Sequence, residues 1–358
     1  MDGDEDNRRA DIDKGATKAG MQSASGWDGK LRVDKQAIIT NPEALSDPDY
    51  SDEDAPPVEQ IAADEGKFFM GEIDLVHRGV SSIPALELER FTKLQKLCLR
   101  QNQISRIELP SSLGEHLIEL DLYDNLIGHL KGLNSFILLK SLDLSFNKLK
   151  HLRNVAHLKE LKDVYFVQNQ ISRIEGLDGL DKITNLELGA NRIREIENLE
   201  TLTSLEQLWL AQNKITELKN LSPLTNLRIL SIQSNRLTKI DGLTSLTNLE
   251  ELYIADNAIE RISGLDTNKS LRVLDISRNP ISSIEGVGHL THLEEFWASS
   301  CRLSSFEEIE RELGDKKELS TVYLEGNPLQ LRNPVVYRNK VHLALSQIKQ
   351  IDATYVKV

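Results

Sequence analysis

The stretch LKSLDLSFNKL at 139–149 returns as LKDVYFVQNQI at 161–171 and again as ITNLELGANRI at 183–193. Units of this pattern begin at 94, 117, 139, 161, 183, 205, 227, 249, 271, 293 and 319, and the eight consecutive steps from 117 to 293 are equal. A weaker unit, IDLVHRGVSSI, precedes them at 73–83. Eleven matches in fixed register constrain the fold strongly. Each unit is too short to bury its own apolar face, so neighbours must stack and share one core. Positions one, four and six of each unit are apolar, as a short strand entering such a core requires.

This spacing is that of a leucine-rich repeat. The expected fold is an α/β solenoid of about 12 repeats of the 22-residue type, with a parallel sheet lining the concave face. The rest of each unit has room for little more than a short helical turn on the convex side. Position nine is Asn in ten of eleven units: Asn102, Asn125, Asn147, Asn169, Asn191, Asn213, Asn235, Asn257, Asn279 and Asn327. There the chain turns out of the strand, and the side-chain amide is expected to satisfy backbone groups of that turn and the next. Cys301 holds the eleventh position nine, where a small thiol is a tolerable, weaker donor. Both ends of a stack expose core and need caps. KFFMGEIDLVHRGV at 67–80 is apolar enough to start it, and Tyr337, Val341, Leu345 and Ile348 lie at helical spacing near its end. The expected organisation is an acidic arm at 1–66, the solenoid with its N-terminal cap at 67–330, and a C-terminal cap at 331–358.

The formal net charge of −13 is unevenly spread. Residues 1–65 carry 17 Asp or Glu against 7 Lys or Arg, and Gln36 to Gly66 holds nine carboxylates and no Lys or Arg. Such a segment buries too little apolar surface to offset its ordering entropy, so it is expected to be disordered. Ser46 and Ser51 stand just before acidic residues, where acid-directed kinases act. The acidic opening MDGDEDNRRADIDK does not read as a signal peptide, and no run of 18 apolar residues supplies a membrane span. Two cysteines, Cys98 and Cys301, make no disulfide framework and fit a reducing compartment.

Side chains alternate along a strand, so positions three, five and seven face the concave side. Position five reads Cys98, Asp121, Asp143, Tyr165, Glu187, Trp209, Ser231, Tyr253, Asp275, Trp297 and Tyr323. Five of these eleven are aromatic, against 5% of the whole chain, far more than chance would place there. Position three adds Glu119, Asp163, Glu251 and Glu295, and Lys96 is the one basic residue in either row. Position seven is mostly small, with Ser145, Gly189, Ala211, Ala255, Ser277 and Ser299, which is expected to leave the rings open to a partner. A line of exposed Tyr and Trp among acids describes a protein-binding surface for a basic patch and disfavours nucleic acid, whose phosphates it repels. No phosphate-binding glycine loop, nucleophile elbow or metalloprotease motif occurs, and the expectation is a protein that is not an enzyme and needs no cofactor or metal. His289 and His292, three apart, have no third ligand at a fixed spacing.

LDLYDN (120–125), QSNRLTKI (233–240), LEEFW (293–297), VYLEGNPLQ (322–330) and QIDATYV (350–356) add a closer likeness. With these motifs, residues 67–358 resemble the mitotic leucine-rich-repeat regulatory subunits of type 1 protein serine/threonine phosphatase. The resemblance implies that the concave face binds the phosphatase catalytic subunit. The matching positions are Asp143, Tyr165, Glu187, Trp209, Asp275, Glu295, Trp297 and Tyr323, to which the aromatic row adds Tyr253. Tyr165 and Trp209 stand where some relatives carry Phe. The resemblance further implies a nuclear and cytoplasmic protein acting in phosphatase assembly, mitotic dephosphorylation and chromosome segregation, often with a second small inhibitor bound. The acidic arm is not a family motif. Lys162-Asp163-Val164-Tyr165-Phe166 fits the Lys/Arg-x-Val-x-Phe docking segment of many phosphatase regulators, but Val164 and Phe166 fall at core positions four and six, so it is rejected. The repeat itself is shared with splicing and dynein-associated proteins, and an adaptor in another nuclear assembly such as a splicing particle is the competing reading.

The composition of the arm yields one test. Limited proteolysis is expected to trim the chain to a core starting near residue 67, with a melting temperature close to that of the full chain. A drop of many degrees on truncation would make the arm part of the fold.

Overall fold

The computed structural model describes residues 71–356. The acidic arm at 1–66 and the first residues of the N-terminal cap, 67–70, lie outside the described residues. Twelve three-residue strands follow one another through the chain: β1 (Glu72–Asp74), β2 (Lys96–Cys98), β3 (Glu119–Asp121), β4 (Ser141–Asp143), β5 (Asp163–Tyr165), β6 (Asn185–Glu187), β7 (Gln207–Trp209), β8 (Ile229–Ser231), β9 (Glu251–Tyr253), β10 (Val273–Asp275), β11 (Glu295–Trp297) and β12 (Thr321–Tyr323). All pair in parallel and in chain order, position three on position three and position five on position five. The single-file order follows from the period. One repeat is long enough to leave a strand, round the convex side and return beside it, and no longer.

The core lies between the sheet and the convex turns. Leu142, Leu144, Leu186, Leu188, Leu230 and Phe296 at positions four and six are fully buried, as are the apolar residues of the returning half. That half carries turns in most units, and regular helix is sparse: 3-10 turns at Pro84–Leu86, Leu88–Arg90 and Ser111–Glu115, then α1 (Phe306–Leu313), α2 (Pro328–Leu331) and α3 (Tyr337–Ala344). Short helical turns in each unit were expected, but most units have only turns there. The unit starting at 293 is longer than those before it, since the next begins only at 319. Its extra length is where α1 forms, with Ser305 Oγ accepting from the Glu308 amide as its N-cap.

The Asn residues at position nine tie the stack together. Asn147 Nδ2 donates to the carbonyls of Leu144 and Ser145 in its own unit, both at 3.1 Å, and of Leu122 in the preceding unit at 2.9 Å. Its Oδ1 accepts from the Ile127 amide, also in the preceding unit, at 2.9 Å. Asn169, Asn191 and Asn213 repeat the arrangement. The bridge therefore runs to the turn before, where the sequence pointed to the turn after. Each strand exit also holds position eight in the left-handed region, from φ 53 at Asp124 to φ 60 at Asp256 for the non-glycine residues and φ 73 at Gly326. The Asn bridge supplies the hydrogen bonds that hold this unfavourable backbone in place. Cys301 keeps the donor half of the bridge, its Sγ 3.4 Å from the Ile276 carbonyl.

The first unit sits three residues from the register assigned on sequence. Ile73 pairs with Leu97, a position four, and Asn102 bridges back to the Leu75 carbonyl and the Val80 amide. IDLV thus begins at position four, and Glu72 and Asp74 join the concave rows. The apolar run of the cap had hidden this, because Ile73 is as acceptable at position one as at position four. At the other end Tyr337, Val341, Leu345 and Ile348 are all buried. β13 (Gln350–Ile351) covers β12 in parallel, and β14 (Thr354–Tyr355) turns back on it. Asp352 takes the place of a next Asn: its Oδ1 accepts from the Leu324 and Glu325 amides at 2.8 and 3.0 Å, and Tyr337 donates its hydroxyl to Oδ2 at 2.9 Å.

Asn213→Ala strands several buried backbone groups at once and is expected to lower stability by more than about 2 kcal/mol, whereas Cys301→Asn completes a bridge and is expected to raise it by about 1 kcal/mol. Chemical denaturation of both variants checks this. An Asn213→Ala change within about 0.5 kcal/mol of wild type would mean that the bridges do not hold the stack.

Candidate partner-binding surface

The parallel register brings the sequence-picked residues into one row. Asp143, Tyr165, Glu187, Trp209, Ser231, Tyr253, Asp275, Trp297 and Tyr323 follow each other on neighbouring strands, about 4.8 Å apart. All of the predicted site residues are in this row except Glu295, which lies two residues before Trp297 on the same strand.

The row is more closed than the sequence implied. Trp209 is 1% exposed, Tyr253 0%, Trp297 2% and Glu187 0%. The expectation of open aromatic faces is corrected here, and two causes are visible among the described residues. On the inner wall of an arc, side chains converge as they leave the backbone, so large groups on adjacent strands press together. Trp297 meets Tyr253 at 6.0 Å between ring centroids and Tyr323 at 5.6 Å, the latter edge-on at 70°. With Val273 they form a second apolar cluster, separate from the solenoid core. In addition, polar tips are tied down locally. Tyr253 donates its hydroxyl to Glu251 Oε2 at 2.6 Å, Trp297 Nε1 donates to Glu295 Oε2 at 3.0 Å, and Gln350 donates to the Tyr323 hydroxyl at 2.9 Å. Glu and aromatic two residues apart on one strand thus act as a unit. Within LEEFW, Glu295 orients Trp297, while Leu293 and Phe296 are core. The accessible fringe is position three, where Glu119, Asp163, Glu251 and Glu295 are half-buried.

The charges differ between the two ends of the row. Near the N-terminus they are matched internally, Lys96 with Glu119 at 2.9 Å and Arg100 with Asp121 at 3.4 Å. Arg100 also lies over the Tyr123 ring, which meets Phe146 at 4.8 Å between centroids, tilted by 43°. From β4 onward neither row contains Lys or Arg. Burial, with Asp121 adding to it, pushes the Asp143 carboxyl up to about 6, against the Ser145 amide that bonds its charged form. Burial also raises the Glu251 carboxyl, opposed by the Tyr253 hydroxyl. Desolvated carboxylates in such a row favour the approach of an external cation.

Other sequence signals resolve differently. Val164 and Phe166 are fully buried, so the apparent docking segment is core. His289 Nε2 lies 2.8 Å from the Leu265 carbonyl and His292 Nδ1 lies 3.2 Å from Glu318, so the two rings serve separate contacts. Among the described residues no group of three His, Cys, Asp or Glu is placed to hold a metal ion, and no helix is long and apolar enough to cross a membrane. Both cysteines are free thiols, and burial pushes Cys301 up to about 11. Sequence reasoning missed the Tyr123–Phe146–Arg100 cluster. It also missed two buried polar groups beside the middle of the row, Asn185 and Gln233. Gln233 was detectable, being a long amide at position seven, where small residues prevail.

Fold and row together define a leucine-rich-repeat protein. Family models described as Leucine Rich repeats (2 copies) match residues 181–224 and 225–267, and one described as Leucine Rich Repeat matches 270–290. Solved structures agree on the fold: an internalin of Listeria monocytogenes, at TM-score 0.62 and 22% identity, covers 84% of this chain and 89% of its own, and a Leptospira interrogans LRR protein, at 0.59 and 24%, covers 74% of each.

Among curated proteins the chain is related in sequence to regulatory subunits of protein phosphatase 1. It is 65% identical over 60 residues to protein phosphatase 1 regulatory subunit SDS22 of Schizosaccharomyces pombe and 47% identical over 88 residues to SDS22 of Saccharomyces cerevisiae. It is 53% identical over 55 residues to protein phosphatase 1 regulatory subunit 7 of Mus musculus. These matches span 17%, 24% and 15% of this chain, and 18%, 26% and 14% of the respective relatives. The family resemblance read from the motifs is borne out over these stretches.

The raised Asp143 carboxyl has a definite consequence for stability. The folded state keeps its proton where the unfolded chain, with an ordinary Asp, has already released it. That contribution is therefore lost as pH rises from about 4 to about 6. Asp143→Asn is expected to be more stable than wild type by about 2–3 kcal/mol at pH 7 and about equal to it below pH 4. Denaturant melts across that range check it, and a pH-independent difference would contradict the assignment.

Proposed function

We propose that this chain is a non-catalytic regulatory subunit that binds the catalytic subunit of type 1 protein phosphatase in the trough of its solenoid. The observation that carries the reading is the row itself. From Asp143 to Trp297 it sets acids beside aromatic rings on a rigid parallel sheet, with no Lys or Arg at positions three or five. A partner with a basic patch supplies the opposite charge to the half-buried acids of position three, and the packed rings beneath hold Glu251 and Glu295 in place through their hydroxyl and indole N–H groups. The names borne by the related curated proteins support the choice of partner. In this reading binding controls assembly, activity or targeting of the phosphatase, including in mitosis and chromosome segregation, in nucleus and cytoplasm, and a second small inhibitor joins the complex.

Calorimetric titration with the purified catalytic subunit tests the proposal. Asp275→Asn combined with Glu295→Gln removes two charges and little volume. It is expected to weaken binding by about tenfold or more and to flatten the dependence of affinity on salt. Wild-type affinity with an unchanged salt dependence would remove the trough from the interface.

A further inference from the structure

Buried polar atoms in folded proteins are nearly always hydrogen-bonded. Among the described residues five buried side-chain atoms have no such partner: Asn185 Oδ1, Trp209 Nε1, Gln212 Nε2, Gln233 Nε2 and Asn268 Oδ1. Asn268 belongs to the convex half, where its Nδ2 bonds the Leu243 and Leu246 carbonyls. The other four gather on β6, β7 and β8 and the strand exits that follow them. Asn185 stands at position three, Trp209 at position five of the next unit and Gln233 at position seven of the unit after. Gln207 pairs with Asn185, and Ser231 pairs with Trp209. The three therefore form a diagonal across the trough, two residues along for each strand across. Their exposures are 5%, 1% and 3%.

The unpaired atoms are fixed by what the rest of each side chain does. Ser231 donates its hydroxyl to Gln233 Oε1 at 2.6 Å, which leaves the Gln233 NH2 group as the unused end. Asn185 Nδ2 points at Glu187 Oε1, 3.4 Å away, which leaves Oδ1. The diagonal thus offers one acceptor, from Asn185, and two donors, from Trp209 and Gln233. A cation can use only the acceptor. A carboxylate can use the donors but must enter a row holding Glu187 with no Lys or Arg nearby in positions three and five. A peptide group meets both needs, accepting through its carbonyl and donating through its amide. From strand spacing and rise, the diagonal is on the order of 16 Å long, which is the reach of about five residues of extended chain and longer than any side-chain group.

We propose that Asn185, Trp209 and Gln233 form an uncharged subsite in mid-trough that hydrogen-bonds an extended stretch of the partner's main chain. The inference rests on the phosphatase reading and deepens it: cations are met by the acids at position three, and neutral backbone by this diagonal. In the complex the partner's main chain supplies the bonds to these groups.

Two variants test this on the full chain. Asn185→Leu removes the acceptor at similar volume. Ser231→Ala with Gln233→Met removes the donor together with the hydroxyl that the second change would strand. Melting of the free chain and calorimetric titration with the phosphatase catalytic subunit are measured on each and on the combined variant. The melting temperature is expected to hold or rise, because an unpaired buried group has been removed. Affinity is expected to fall by about tenfold or more for the combined variant, with the wild-type salt dependence retained. This pairing of signs separates a recognition role from a structural one, which would lower both. A melting temperature lowered by many degrees overturns the inference, and so does affinity within about twofold of wild type. If wild type binds and the variants bind alike, this inference alone fails. If wild type does not bind, the phosphatase reading fails and takes the inference with it.

Discussion

A single side-chain amide, repeated once per unit, is the contact on which the rest depends. Each strand is only three residues long, and the chain leaves it through a left-handed residue that most side chains disfavour. Without further bonds that exit would strand buried carbonyls. The Asn at position nine satisfies them within its own unit and reaches one unit back, as Asn147 does to Leu122 and Ile127. The bridge converts a weak local turn into a staple between neighbours. Stability then accumulates along the stack as a sum of nearest-neighbour terms. Asp352 ends the series by offering its carboxylate to the last exit, so the final strand is held by the same logic as the others.

That regularity is what makes a functional row possible. Because every strand pairs in the same register, one position of the repeat becomes one line in space. A change of residue type along the sequence becomes a change of chemistry along the trough. The N-terminal part matches its own charges through Lys96 and Arg100, and the middle sets neutral amides around Trp209. The last third packs Tyr253, Trp297 and Tyr323 ring against ring, with carboxylates at the polar ends of Tyr253 and Trp297 and the Gln350 amide at that of Tyr323. The same packing that keeps these rings rigid also covers them. A partner reaching this surface meets the half-buried acids of position three first.

The fold was legible because its cause is periodic. Eleven units in register determine strand order, core positions and the Asn bridge without any long-range guess. The failures came where the period gave no information. Ile73 suits two apolar positions equally, so the first unit was misplaced by three residues until the pairing with Leu97 fixed it. The direction of the Asn bridge depends on the curvature of the turn, which spacing does not encode. The convex side was read as short helix, but sparse turns satisfy it. At the candidate site, sequence alternation correctly identified which residues face the trough. It could not show their exposure, which depends on how rings from separate units converge, nor the hydrogen bonds from Tyr253 to Glu251 and from Trp297 to Glu295. Asn185 and Gln233 went unnoticed because each is ordinary alone and gains meaning only from its neighbours across the sheet.

In the proposed function the concave row, and not the convex side, meets the phosphatase. Site-specific photo-crosslinking addresses it directly, with a photoreactive residue placed either at Glu251 in the trough or at the exposed Thr247 on the convex side. Irradiation with the purified catalytic subunit is expected to give a one-to-one adduct from the Glu251 position and none from the Thr247 position. An adduct from Thr247 with none from Glu251 would contradict the account and place the partner on the outer face of the solenoid.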